Sequence, residues 1–225
     1  MKILAIIPAR GGSKGIPHKN KINIAGKPLI GWTIEAAKNS KFLNKIVVSS
    51  DDLEILSTAQ KYKVDVIKRP KKYALDNAPS DVVIFHAIDH LKNKENYVPN
   101  IIVILQPTSP LRTSEDIDKA IELFLKNKAG AVISVMEGDN KHLKSFFIEK
   151  GFLQGIVNNE FPFTNRQALP KIYMPNGALY VIYEKEFRKE KKLFSKKTIG
   201  FLMKKERSID LDTPDDIPII ESYLK

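Results

Sequence analysis

Two short stretches near opposite ends of this 225-residue chain carry the residue types that handle phosphate and divalent cations. The first, Ala9-Arg10-Gly11-Gly12-Ser13-Lys14-Gly15, sets two cations among small residues whose backbone N–H groups can approach an anion closely. Such a loop suits a triphosphate. It matches neither G-x-x-x-x-G-K-[ST] nor G-x-G-x-x-G, and Pro17 leaves no room for a strong helix directly after Gly15, which counts against P-loop ATPases and dinucleotide dehydrogenases. The second stretch, Ser208-Ile209-Asp210-Leu211-Asp212-Thr213, alternates so that in extended form Asp210 and Asp212 share one face. One or two carboxylates, completed by phosphate oxygens and water, are the ligand set magnesium prefers. Taken alone, D-x-D equally describes an exposed acidic strand end ahead of a helix.

Further polar residues punctuate the chain. Lys19-Asn20-Lys21 follows the glycine-rich loop, Arg69-Pro70 follows a short apolar run, and Gln106-Pro107-Thr108-Ser109-Pro110-Leu111-Arg112 carries recognition-type side chains on a backbone stiffened by two prolines. Arg166-Gln167-Ala168-Leu169-Pro170 offers an arginine suited to a bidentate grip on a carboxylate, and Pro175-Asn176-Gly177-Ala178-Leu179-Tyr180 lies just beyond it. An acceptor pocket and a plain surface turn at Asn176-Gly177 both fit these two segments. His86 and His90, at helical i, i+4 spacing, do not read as a zinc site: Ala87 stands where a metalloprotease would need glutamate, and no third ligand is evident.

The elements that must position these residues alternate regularly. Residues 2–7, 45–49, 64–68, 101–105 and 131–135 read as short strands, and 29–39, 53–62, 80–92 and 114–126 as amphipathic helices, several opening on Ser or Asp. This alternation predicts an α/β fold, a mainly parallel sheet with helices on both faces. In such sheets ligands bind beyond the carboxyl ends of the strands, where the glycine-rich loop, Arg69 and Gln106 all fall. After residue 135 the pattern changes to a hairpin over 145–157, turning near Lys150-Gly151, and an irregular stretch to Pro175. Strand character returns over 178–183, and a closing helix over 214–224 has Thr213 as its expected cap.

The length fits a single domain over 1–225 with residues 139–172 as a small insertion. The absence of cysteine excludes disulfides, thiolate metal sites and a cysteine nucleophile. The first apolar run is too short for a signal peptide or membrane span before Pro8 and charge, so a cytoplasmic location with no membrane partner is the expectation. A formal net charge of +11 permits a nucleic-acid partner, but the lysines are scattered, dense only over 185–205 and without an aromatic platform, and none is expected.

In order and spacing, Ile7-Pro8-Ala9-Arg10-Gly11-Gly12-Ser13-Lys14-Gly15, Val48-Ser49-Ser50-Asp51, Arg69-Pro70, the run from Leu105 to Arg112, Arg166-Gln167, Asn176-Gly177-Ala178 and Asp210-Leu211-Asp212-Thr213 resemble the N-acylneuraminate cytidylyltransferases. The resemblance covers nearly the whole chain. It implies a nucleotide-diphospho-sugar transferase fold with a small dimerisation subdomain at 139–172, a homodimer whose partners help close each other's sugar pocket, and transfer of CMP from CTP to a nonulosonic acid, N-acetylneuraminate first among them. It further implies that Arg10, Lys14 and Lys19 hold the triphosphate, with Ala9, Gly12 and Ser13 beside it. Asn20, Arg69, Ser80 and Gln106 would contact the cytidine or adjacent groups, Gln106, Lys144, Arg166, Gln167 and Tyr180 the sugar acid, and Asp210 and Asp212 a magnesium ion. Met174 stands where some relatives carry an arginine near the sugar carboxylate, which keeps legionaminic, pseudaminic and shorter ulosonic acids open as acceptors. Outside this class, a basic nucleic-acid-binding protein and a silent nucleotide-binding regulator are the rival readings.

Overall fold

Apolar residues at both odd and even positions of the first strand require cover on two sides. In the computed structural model, which describes residues 1–13, 15–75 and 79–224 and only the backbone of Ser80, both sides are covered. The elements run β1 (Ile3–Pro8), β2 (Asn23–Ile24), β3 (Lys27–Pro28), α1 (Leu29–Lys38), β4 (Lys45–Ser50), α2 (Leu53–Lys61), β5 (Asp65–Lys68), α3 (Ser80–Glu95), β6 (Ile101–Leu105), α4 (Ser114–Lys126) and β7 (Ala131–Glu137). They continue as β8 (Phe146–Glu149), β9 (Phe152–Gly155), β10 (Tyr173–Tyr183), α5 (Glu184–Glu190), β11 (Thr198–Leu202) and α6 (Asp216–Leu224). A seven-stranded sheet has the order β11-β7-β10-β6-β1-β4-β5, parallel throughout except β10, which runs antiparallel to β6 and β7. Ile3, Ala5 and Ile7 pack with Ile34 of α1, Ile55 of α2 and Phe124 of α4, while Leu4 and Ile6 pack with Ile84 and Ile88 of α3 and Phe187 of α5. The fold is therefore the expected one.

Local chemistry sets the helix ends. Asp52 caps α2 by accepting from the backbone N–H of Glu54 and Ile55, and Thr113 forms a reciprocal capping box with Asp116 at the start of α4. The closing helix begins two residues later than expected, and Thr213 does not cap it. The Asp216 carboxylate instead accepts from the Thr213 hydroxyl at 3.0 Å and from the backbone N–H of Asp212 and Thr213, so the side chain expected to accept is donating. The hairpin β8–β9 turns at Lys150 and Gly151, both at positive φ (52° and 85°). The excursion that carries it leaves and re-enters the body at one point, where the Gly138 N–H donates to the Ile172 carbonyl at 3.0 Å. The brief strands β2 and β3, the helix α5 and the strand β11 were not legible as elements, for want of length or of periodic apolar residues.

Candidate active site

The carboxyl ends of β1, β5 and β6 open onto a cleft of about 450 Å³. Arg10, Gly12 and Ser13 line it from the loop after β1, joined by Lys19, Asn20, Arg69, Gln106 and Tyr180. Eight of the residues expected to meet a ligand are thus brought together. Lys14 and the side chain of Ser80 lie outside the described residues. Ala9 does not line the cleft: it is fully buried, and its N–H extends the β1–β4 ladder by donating to the Ser49 carbonyl at 3.0 Å.

The glycine-rich loop is held from behind by its neighbours. Asp51, at the end of β4, accepts from the Gly11 N–H at 3.0 Å, and the Asn20 amide donates to the Arg10 carbonyl at 2.9 Å. Lys21 pairs with Asp52 at 2.9 Å and Glu54 at 2.7 Å, locking the stretch after the loop to the start of α2. Arg69 is only 5 % exposed; its Nη2 lies 3.9 Å from Asp51 Oδ1, beyond hydrogen-bonding range. Burial pushes its guanidinium pKa down, Asp51 opposes the shift, and the charge of Arg10 adds to it. Arg69 Nε and Nη2 and Asn20 Oδ1 have no hydrogen-bond partner among the described residues. Buried polar atoms left so carry a desolvation penalty that a polar ligand would relieve.

On the other side, Lys19 joins the cleft to the acidic segment. Its Nζ donates to the Leu211 carbonyl at 2.5 Å and to Asp212 Oδ1 at 3.2 Å, while the Leu211 N–H donates to the Thr108 carbonyl at 2.8 Å. Asp210 accepts from the Ser109 hydroxyl at 3.3 Å. Burial raises the Asp210 pKa and so does the charge of Asp212; hydrogen bonds from Thr108 and Ser109 pull the other way. Burial, with the charge of Asp210 added, raises that of Tyr180. Among the described residues no cluster of three or more metal-type ligands exists. Two mutually repelling carboxylates beside a cationic cleft nevertheless fit magnesium, whose remaining ligands would be phosphate oxygens and water.

Lys144, Arg166 and Gln167 stand apart. All three belong to the excursion after β7 and none lines the cleft; Arg166 is engaged by Asp139 at 3.3 Å and by Asn140 at 3.3 Å. The sequence reading missed the cleft's apolar wall, built by Tyr73, Leu75, Val83, Ile84 and Leu193. Leu193-Phe194, an apolar pair breaking the basic run at 185–205, was the one available signal. His86 stands behind this wall, its ring 5.5 Å from that of Tyr73, its pKa lowered by burial and then by His90 and Arg69.

Residues 4–206 match the family described as cytidylyltransferase. The chain belongs to the cytidylyltransferase family. The match takes in the glycine-rich loop, Arg69, the 106–112 loop and Tyr180, and stops short of Asp210 and Asp212. The chain is 36 % identical over 229 residues to the N-acylneuraminate cytidylyltransferase of Streptococcus agalactiae serotype III, covering 100 % of this chain and 54 % of that protein. It thus spans about half the length of that relative. It is 33 % identical over 226 residues to the pseudaminic acid cytidylyltransferase of Campylobacter jejuni serotype O:2, covering 100 % of this chain and 97 % of the relative. A solved structure of CMP:2-keto-3-deoxy-manno-octonic acid synthetase complexed with CTP superposes with a TM-score of 0.73 at 14 % identity, over 100 % of this chain and 98 % of that one. At that identity the likeness concerns the fold.

Proposed function

We propose that this cytidylyltransferase family member transfers CMP from CTP to the anomeric hydroxyl of a nonulosonic acid, with N-acetylneuraminate the foremost acceptor and pseudaminic or legionaminic acid the alternatives. The observation that carries the reading is the convergence of Arg10, Lys19 and Arg69 on one cleft beside the Asp210–Asp212 pair. The anomeric oxygen attacks the α-phosphorus as the bond to the departing pyrophosphate breaks, and the hydroxyl proton passes to water. Negative charge spreads over the phosphate oxygens along this path, so aligned cations are the main catalytic need. Arg10 and Lys19 meet that need at the loop. Arg69 and Asn20 offer unpartnered polar atoms for the nucleotide, and Gln106 and Tyr180 border the side left for the sugar acid.

Asp210 and Asp212 would hold magnesium, which when bound neutralises phosphate charge and favours the leaving group. Lys19 already spans Asp212 and the cleft, and so keeps the acidic segment close to the phosphates. Residues 139–172 would serve as the homodimerisation subdomain. Phe147, Ile148, Phe152, Leu153 and Phe163 there are 48–83 % exposed and leave apolar side chains on both sides of the β8–β9 hairpin, surface of the kind a second copy covers. Partner closure would also give Lys144, Arg166 and Gln167 a route to a sugar acid that they lack within one chain. Among the described residues no helix is long and apolar enough to cross a membrane, and a CTP-consuming reaction without cysteine chemistry suits the cytoplasm.

The test is pyrophosphate release with CTP, magnesium and a panel of N-acetylneuraminate, pseudaminic, legionaminic and shorter ulosonic acids, with ATP, GTP and UTP as controls. Release that requires CTP and one acid class is expected. Release with all four nucleotides, or none with any acid from a folded protein, defeats the reading.

A further inference from the structure

Arg112 is the largest fully buried side chain among the described residues, at 2 % exposure. Burial of a guanidinium is costly unless every N–H finds an acceptor. Here Nη1 alone is used: it donates to the Gln106 carbonyl at 3.1 Å and the Ala178 carbonyl at 2.8 Å, while Nε and Nη2 have no partner among the described residues. Burial lowers its pKa to about 10, with Asp116 opposing. Asp116 gives it no ion pair, since that carboxylate is taken by Arg207 at 3.0 Å and by the cap of α4. An apolar side chain would fill this space at lower cost, so the arginine is explained by the two carbonyls it holds.

Those carbonyls lie at the seam where β6 and β10 part. The ladder between them ends at the pair Leu105–Leu179, and β10 then bulges between Pro175 and Tyr180, with Gly177 at φ 74°. The Gln106 amide lies against this bulge: a Cβ on Gly177 would stand 3.1 Å from Gln106 Oε1. Beyond the last ladder pair no strand hydrogen bond sets the gap, and Arg112 bridges it from behind.

We propose that Arg112 is a positioning residue for substrate recognition, which touches neither substrate but fixes the separation of Gln106 and the Gly177 bulge so that the Gln106 amide is presented to the cleft. The proposal rests on the reading of the cleft as a CTP and sugar-acid site. It predicts that Arg112 acts through Gln106. Arg112→Met should lower kcat/KM for the accepted sugar acid about 10–100-fold, the scale of a small misplacement at a reacting site. Added to Gln106→Ala it should cost less than about threefold more, because a shared effect cannot be lost twice. Arg112→Lys, with one ammonium for two carbonyls, should fall between wild type and Arg112→Met.

The experiment measures kcat and KM for both substrates in wild type, the three single variants and the double variant, together with amide hydrogen exchange over 106–109 and 176–179. Non-additive kinetics, partial rescue by lysine and faster exchange confined to those segments are expected. Independent, multiplying losses in the double variant, or exchange unchanged in both Arg112 variants, would overturn the proposal. Should Arg112→Met not fold, wild-type kinetics or exchange in Arg112→Lys would do the same. A wild type that turns over no sugar acid would defeat the function proposed above, while the exchange data still decide whether Arg112 fixes the seam.

Discussion

Replacing Gly15 with alanine probes the joint between the phosphate loop and the acidic segment. A Cβ at Gly15 would stand 2.5 Å from the backbone carbonyl oxygen of Asp212. Comfortable separation needs about 3.3 Å or more, so the two segments must part by roughly 0.8 Å, and the obstruction is backbone, which cannot rotate away. Overpacking of this kind costs about 1–3 kcal/mol, or roughly 2–10 °C in Tm for a domain of this size. The same displacement moves Asp212 away from Lys19, now 3.2 Å from it, and so separates the carboxylate pair from the phosphates. A shift approaching 1 Å at a reacting centre is worth on the order of 100-fold, and a fall of about 10–100-fold in kcat/KM is expected. The assay is pyrophosphate release over a magnesium titration, beside thermal melts of Gly15→Ala and Gly12→Ala. Gly12 is the control for stability alone, since a Cβ there meets nothing within 4 Å. If Gly15→Ala melts with Gly12→Ala and keeps wild-type kcat/KM, the close approach of the two segments has no role.

Four other outcomes follow from the same geometry. Asp210 has its pKa raised by burial and by Asp212, so the native state binds a proton more tightly than the unfolded chain and stability falls as pH climbs from the unfolded towards the folded value; Asp210→Asn should melt higher than wild type at pH 7, with the gain shrinking as pH falls through the raised native value and gone below the unfolded one, even as turnover is lost. Asp52 is the opposite case: hydrogen bonds from Lys21 and from the Ile55 and Glu54 amides outweigh its burial and lower its pKa. Asp52→Ala should therefore cost about 1–2 kcal/mol in a urea melt at neutral pH, and the deficit should shrink as pH falls through the lowered native pKa. Arg69→Met should weaken CTP binding about 10–100-fold by calorimetry, the worth of charge-assisted hydrogen bonds, and leave stability within about 1 kcal/mol because two of its nitrogens are unpaired. Phe152→Glu, at a position 72 % exposed, should turn a dimer into folded monomers by sedimentation; an unchanged dimer would remove the Phe147–Phe152 side of the hairpin from the interface.

The parallel core was legible because its signals are local. β-branched runs such as Ile101–Leu105 must be strands covered on both faces, and Ser114-Glu115-Asp116 marks a helix start by setting carboxylates at its positive end. The cleft was legible for a topological reason: residues directly after parallel strands gather at one edge, which brought Arg10, Arg69 and Gln106 together from three separate segments. What could not be read depends on side-chain partners. Thr213 looked like a cap, but Asp216 out-competes it as an acceptor. Ala9 sat within a cationic loop, yet its N–H belongs to the sheet. Arg112 looked like one more cation at a strand end, and only its position behind the seam separates it from the cations that face the cleft.

The charges of the excursion fit completion of the site by a second copy. Arg166 spends its charge on Asp139, with both side chains half-exposed (59 % and 44 %), and an ion pair so exposed is worth at most about 1 kcal/mol. Such a pair is easily exchanged for a better one. A sugar carboxylate enclosed by a second copy would offer Arg166 a desolvated, bidentate partner, and charge-assisted bonds of that kind are roughly twice as strong as neutral ones. Cleft and excursion would then meet only when the exposed apolar side chains of the hairpin, Phe147 and Phe152 among them, are covered, making assembly and acceptor binding one linked equilibrium. Acceptor should tighten the dimer and CTP alone should not, since the cations of the cleft lie within one chain. Sedimentation of dilute protein with each substrate separately distinguishes the cases: tightening by neither would show that the acceptor pocket is complete in the monomer, and equal tightening by both would show that the linkage is not particular to the acceptor.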